Sequence, residues 1–181
     1  QGGKIVGLIH PLYSHKPPDN RYERPNPFFH DRAFDWERYD HYLEKLGHFL
    51  RDQTAPVFAL INPPKETEVV TWFSGVKPTA PICFVPTLED QPKPMFDHTV
   101  REKARTLTNN PDLQHWDLFS HILADCEVAR ISLVGELAYR RRGGRYGCVY
   151  TAADEISKRN RGIDLRVECE LTWPNRELHS F

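Results

Sequence analysis

Apolar positions along the chain fall into two rhythms. Four short runs are apolar at nearly every position: Lys4 to Ile9 (KIVGLI), Pro56 to Ile61 (PVFALI), Ala80 to Val85 (APICFV) and Ala129 to Val134 (ARISLV). Each is stopped by a breaker, at His10-Pro11, Asn62-Pro63-Pro64, Pro86 and Gly135-Glu136 respectively. Short apolar runs bounded in this way predict strands buried on both faces of a sheet. From Ile163 to Thr172 the pattern alternates instead, with Leu165, Val167, Cys169 and Leu171 opposite Arg166, Glu168 and Glu170. Alternation predicts one dry and one wet face, hence a strand at or near a sheet edge.

Between the strands the spacing becomes helical. After Asp35, a candidate N-cap, Tyr39, Leu43, Leu46 and Leu50 mark a helix ending near Asp52. Helical spacing recurs over His98–Leu107, over Leu113–Ala124 with its stripe of Trp116, Leu118, Phe119, Ile122 and Leu123, and over Val149–Lys158, where Gly162 is the expected stop. Glu68 to Phe73 reads either as a short helix or as an irregular loop. Strands alternating with helices in this order predict an α/β fold, a three-layer α/β/α sandwich on a mainly parallel, Rossmann-like sheet. Residues 11–33 have no apolar period and hold five of the 15 prolines. They read as a long loop leaving the carboxyl end of a central strand, and long structureless loops in compact domains are commonly functional or disordered.

Composition narrows the classes. At 181 residues the chain suits a single domain, and 39% hydrophobic residues with 27% charged ones give it material for a core. Lys plus Arg number 24 and Asp plus Glu 25, so the net charge of -1 offers no overall field for nucleic acid or anionic lipid, and any anion binding must be local. No apolar run reaches the roughly 18 residues of a membrane span, and the first residues enter a strand with no charged leader pattern, so a cytoplasmic protein away from membranes is expected. Cys83, Cys126, Cys148 and Cys169 show no zinc-site spacing and read as reduced thiols.

In an open parallel sheet, ligands bind beyond the carboxyl ends of the strands, where neighbouring crossovers diverge. If the first and fourth strands are neighbours there, the crevice is lined by His10 to His15, with Tyr13 and His15 as substrate-binding candidates, and by Glu136 to Cys148. Glu89, Asp90 and Lys93 would join from the third strand. Cys148 enters a predicted helix with Arg145 nearby. There it is either a nucleophile whose thiolate the helix N-terminus stabilises, or a small buried residue filling the helix-sheet contact.

Three segments carry a family resemblance. Asp117–Leu137 (DLFSHILADCEVARISLVGEL), Gly147-Cys148-Val149 with Tyr150-Thr151-Ala152-Ala153-Asp154, and Gly162–Val167 (GIDLRV) together resemble the isochorismatase-like cysteine hydrolases. The order of elements matches over most of the chain, and matching motif residues occupy its last third. The resemblance implies that Cys148 attacks an amide or similar carbon. His10 stands where the family carries an aspartate after its first strand, and Lys93 is the candidate for the lysine after the third. It implies no cofactor.

Arg140, Arg141, Arg142 and Arg145 surround Gly143-Gly144 ahead of the same helix. Arginine forks and a glycine-permitted backbone approach could grip an anion, with Arg140, Arg142 and Arg145 beside Glu136 as binding residues, or the run is a solvated loop. There is no GxGxxG and no P-loop, so no nucleotide cofactor is implied. His10, His15 and Glu136 lack the spacing of a metal site, and none is expected. Three readings follow: a cysteine-hydrolase-like enzyme on a small amide or related carbonyl compound; a catalytically silent relative binding a ligand or partner in the same crevice; and a phosphate- or nucleic-acid-binding module built on the arginine loop. The partner is thus a small-molecule substrate or anionic ligand, with nucleic acid less favoured and homo-oligomers left open.

Overall fold

The computed structural model describes residues 3–15, 35–88, 91–110, 112–113, 115–137 and 147–174. Five strands, β1 (Gly3–Ile9), β2 (Val57–Ile61), β3 (Ile82–Pro86), β4 (Val128–Glu136) and β5 (Asp164–Trp173), form one sheet in the order β3-β2-β1-β4-β5. Every pairing is parallel. Parallel neighbours need crossovers, and these are α1 (Trp36–Asp52), α2 (Glu66–Val76), α3 (His98–Thr108), α4 (His115–Asp125) and α5 (Cys148–Arg159). The fold is the α/β sandwich expected.

Helix starts follow local chemistry. The Asp35 carboxylate accepts from the Arg38 N–H at 3.0 Å and that of Asp97 from the Val100 N–H at 3.0 Å, each satisfying a donor that its helix leaves open. The segment with two readings is a helix longer than Glu68–Phe73: a 3-10 turn over Pro63–Lys65 leads into α2, which ends where Lys77 turns left-handed.

Two apolar clusters lie on opposite faces of the sheet. Val6, Leu8, Val57, Ala59 and Ile61 pack against α1 and α2 through Tyr39, Leu46, Leu50, Val69 and Phe73. Ile5, Ile9, Leu60, Ile131 and Leu133 pack against α4 and α5 through Phe119, Leu123, Val149, Ala152 and Ile156. Helix α3 rests on α4, where Ala104 meets Leu113 and Leu118. Each fully buried Leu or Ile contributes roughly 1.5–3 kcal/mol. These two faces explain why β1, β2 and β4 are apolar almost throughout.

Three details depart from the pattern. β3 is an edge strand, not one buried on both faces: Val85 is buried but Cys83 and Phe84 are exposed, because its order in the sheet leaves one side open. β5 is the other edge, as its alternation predicts, but the alternation breaks. Its register passes from Leu133↔Val167 to Gly135↔Thr172, so β5 carries three residues more than β4 over the same stretch. An odd insertion reverses the phase. Leu165 and Val167 therefore pack on the α4/α5 face, Leu171 on the α1/α2 face, and Cys169 is exposed in the bulge. Finally, Asn160, not Gly162, caps α5, its N–H donating to the Ile156 carbonyl.

Among the described residues no helix is long and apolar enough to cross a membrane.

Candidate active site

The chain runs outward from β1 to β2 to β3 on one side, then returns past β1 to β4, so crossovers diverge between β1 and β4. The carboxyl ends of these two strands are unusually constrained. His10 and Leu12 after β1, with φ of 45° and 60°, and Leu137 after β4, at 58°, are left-handed, as is Gly135 at 122°. Non-glycine residues adopt this conformation at a cost of about 1–2 kcal/mol, and such outliers gather at functional sites. Gly135 could be no other residue: a Cβ there would lie 2.1 Å from the Ile9 carbonyl oxygen and 2.7 Å from its nitrogen.

His10 is fully buried. Its N–H donates to the Leu60 carbonyl at 2.8 Å, its ring stacks on Tyr13 with 5.7 Å between centroids, and its Nε2 lies 2.9 Å from Thr87 Oγ1. Thr87, beyond the end of β3, is itself buried, and its hydroxyl donates to the Ile61 carbonyl at 3.1 Å. A short hairpin holds Thr87 in place: Thr87 pairs with Pro94, the Leu88 N–H donates to the Lys93 carbonyl at 3.1 Å, and that of Met95 to the Pro86 carbonyl at 2.8 Å. Lys93 is thus half-buried on the same hairpin. Tyr13 leans on the α4/α5 cluster, which also contains Ile9, Val85 and Cys148.

Cys148 is the first residue of α5 and is buried in that cluster, whereas Cys83, Cys126 and Cys169 are exposed. Its N-cap, Gly147, has no side chain to cap the first turn.

Glu136, the last residue of β4, is also fully buried, but on the α1/α2 side. Oε1 accepts from the Tyr39 hydroxyl at 2.7 Å and Oε2 from the Ser14 N–H at 2.7 Å. Burial pushes its carboxyl from 4.5 up to about 7, with hydrogen bonds from Tyr39, Ser14 and the Leu12 backbone acting the other way. Burial, and the charge of Glu136, likewise raise Tyr39 and Tyr42 well above the usual tyrosine range. Trp173 closes this cluster, 5.2 Å from Tyr39 and 5.8 Å from Tyr42 between ring centroids.

His15 lies beside the 3-10 turn and the start of α2 that follow β2. Its Nδ1 is 3.3 Å from Glu68 Oε2, and Lys65 Nζ donates to the His15 carbonyl at 2.8 Å and to Glu68 at 3.0 Å. The described residues thus bring His10 to Thr87 and Tyr13, Glu136 to Tyr39 and Ser14, and His15 to Lys65 and Glu68. Thr87, Tyr39, Lys65 and Glu68 are not singled out by sequence; only Lys65 and Glu68, three apart at a helix start, carry a local signal of pairing. Arg140, Arg141, Arg142 and Arg145, with Gly143 and Gly144, lie outside the described residues, as do Glu89 and Asp90 and the loop from Lys16 to Phe34. Among the described residues no three His, Cys, Asp or Glu side chains gather as a metal ion requires.

No family model, no curated protein and no solved structure matches the chain.

Proposed function

We propose that the chain is a cysteine-hydrolase-like enzyme acting on a small amide or related carbonyl compound, with Cys148 as nucleophile, His10 as its base and Lys93 as the cation of the site. The observation that carries this reading is the meeting of two chain segments at the sheet's switch point. Cys148 opens α5 within the same packed cluster as Ile9, and His10 follows Ile9 directly. A nucleophile and a base from neighbouring strand ends, on one face of the sheet, are the elements of covalent acyl transfer. The first-turn N–H groups of α5 are suited both to favour a thiolate and to stabilise an oxyanion.

In the reaction, the Sγ proton passes to His10 and the sulfur forms a bond to the carbonyl carbon. The C–N bond then breaks, and the amine leaves with the proton from His10. Water attacks the resulting thioester, giving its proton to His10, and the carboxylic acid departs as the C–S bond breaks and Sγ regains the proton. One amide and one water yield one acid and one amine.

Burial makes the test stringent. Access alone would have the exposed Cys83, Cys126 and Cys169 alkylated before Cys148. Limited iodoacetamide labelling followed by peptide mass spectrometry should instead find Cys148 modified first, since activation of its sulfur by the α5 N-terminus and His10 would outweigh accessibility. Cys148 reacting last, or unchanged amide hydrolysis in Cys148→Ala, would remove the hydrolase reading.

A further inference from the structure

The contact between His10 and Thr87 bears on which nitrogen of the imidazole carries a proton. The Thr87 hydroxyl has one proton and two close neighbours, the Ile61 carbonyl oxygen at 3.1 Å and His10 Nε2 at 2.9 Å. A carbonyl oxygen only accepts. Both contacts are hydrogen bonds only if the hydroxyl donates to Ile61 and accepts from a protonated Nε2. The opposite arrangement would set hydroxyl lone pairs against the Ile61 oxygen at 3.1 Å, a repulsive contact in a buried place.

We infer that Thr87 is a positioning residue that keeps the proton on His10 Nε2 and so reserves Nδ1 as the nitrogen that takes up and releases a proton. The backbone around it supports that role. The Thr87 N–H donates to the same Ile61 carbonyl at 2.9 Å, and the bridge to Pro94 closes the hairpin over it. His10 is held by its own N–H to Leu60 and by the Tyr13 stack. Both partners therefore sit on sheet-anchored backbone, the setting in which a neighbouring acceptor fixes a tautomer. The assignment of the tautomer stands on this geometry alone. Its consequence for catalysis rests on the proposed role of His10: the Cys148 proton would be handled at Nδ1.

Long-range proton-nitrogen correlation spectra of protein labelled with ¹⁵N in its histidine rings test this, with His10 assigned by comparison with His10→Gln. In the wild type, His10 should show a protonated Nε2 throughout, with Nδ1 alone changing as pH is varied. Thr87→Ser, which keeps the hydroxyl, should preserve that signature. Thr87→Val, which removes it, should lose the Nε2 preference and displace the pH profile of Cys148 alkylation. An Nδ1-protonated His10 in the wild type overturns the inference, and so does a Thr87→Val protein with an unchanged tautomer and profile. The wild-type spectrum decides the matter even if Thr87→Val does not fold. A slow Cys148 with an Nε2-protonated His10 would remove the hydrolase reading and leave the tautomer in place.

Discussion

His10 and Glu136 end neighbouring strands, and both are shut away from solvent, yet the fold treats them in opposite ways. On the α4/α5 side, the described residues give His10 the Thr87 hydroxyl and the stacked Tyr13 ring, partners that orient it without demanding a charge. On the α1/α2 side, Glu136 receives the Tyr39 hydroxyl and the Ser14 N–H, donors that favour a carboxylate, in surroundings whose burial disfavours one more strongly. The acid ties the turn after β1 to β4 and to α1. The histidine, carried by the same turn, is the one to which the proposed reaction gives the chemistry. Position beside the switch point is therefore not enough to define a role: the partners decide.

The comparison is broken most severely where the two strands touch. Gly135→Ala should remove both sites together, because the new methyl would meet the backbone of Ile9 at 2.1 Å in a conformation, φ 122°, that alanine rarely adopts. A loss above about 4 kcal/mol is expected, enough to leave little folded protein in circular dichroism melts. Gly7→Ala is the control. Its Cβ would crowd the end of the Leu133 side chain, at 2.6 Å, and no backbone, so a smaller loss of about 1–3 kcal/mol is expected. Equal melting temperatures for Gly135→Ala and wild type would mean that the two strand ends are not packed as described.

These two glycines also mark how far the sequence can be read. β1, β2 and β4 were legible as apolar runs because both their faces are covered, whereas the exposure of Cys83 and Phe84 depends on strand order, which a run of six residues does not encode. In β5 the alternation was legible and its reversal was not, because the three-residue excess exists only relative to β4. The site divides in the same way. His10 and Glu136 stand out because each directly follows or ends an apolar run, but their partners lie 77 and 97 residues away and become neighbours only through the register of the sheet and the docking of α1. Lys93 is a candidate only through its place after the third strand in the family resemblance; Thr87, which touches His10, has no sequence mark of its own.

A smaller effect, and a sharper one, comes from the charge on Glu136. The folded protein holds this proton up to about pH 7, whereas the unfolded chain releases it near 4.5. Between those values the native state binds more protons, so stability falls as pH rises, and it levels off above 7. At 1.36 kcal/mol per unit of pKa the loss is about 3 kcal/mol, with no discount for screening because the group is fully buried. Glu136→Gln cannot titrate. Urea unfolding across pH 4 to 8 should therefore give a wild-type curve that declines relative to that of Glu136→Gln through this window. Parallel curves would mean that Glu136 titrates in the fold as it does in the unfolded chain, and the contrast with His10 would disappear.

Tyr39→Phe tests the same side with the least disturbance, because the ring that packs on Trp173 is kept and only the hydroxyl 2.7 Å from Glu136 is lost. The size of the effect depends on what that hydroxyl faces. Above pH 7 it donates to a carboxylate, and hydrogen bonds to charged groups contribute about 1.5–3 kcal/mol, so a loss of about 2 kcal/mol is expected at pH 8. Well below pH 7 the acid is neutral, the bond is an ordinary one, and the loss should shrink to about 1 kcal/mol. The variant should also push the Glu136 carboxyl further up, since the Tyr39 hydrogen bond is the largest influence holding it down. Unfolding free energies at pH 5 and pH 8 measure both effects at once. An equal loss at the two pH values would show that Tyr39 anchors α1 by packing and a neutral hydrogen bond alone, and that the acid at the end of β4 draws no more charge-specific support than the histidine at the end of β1.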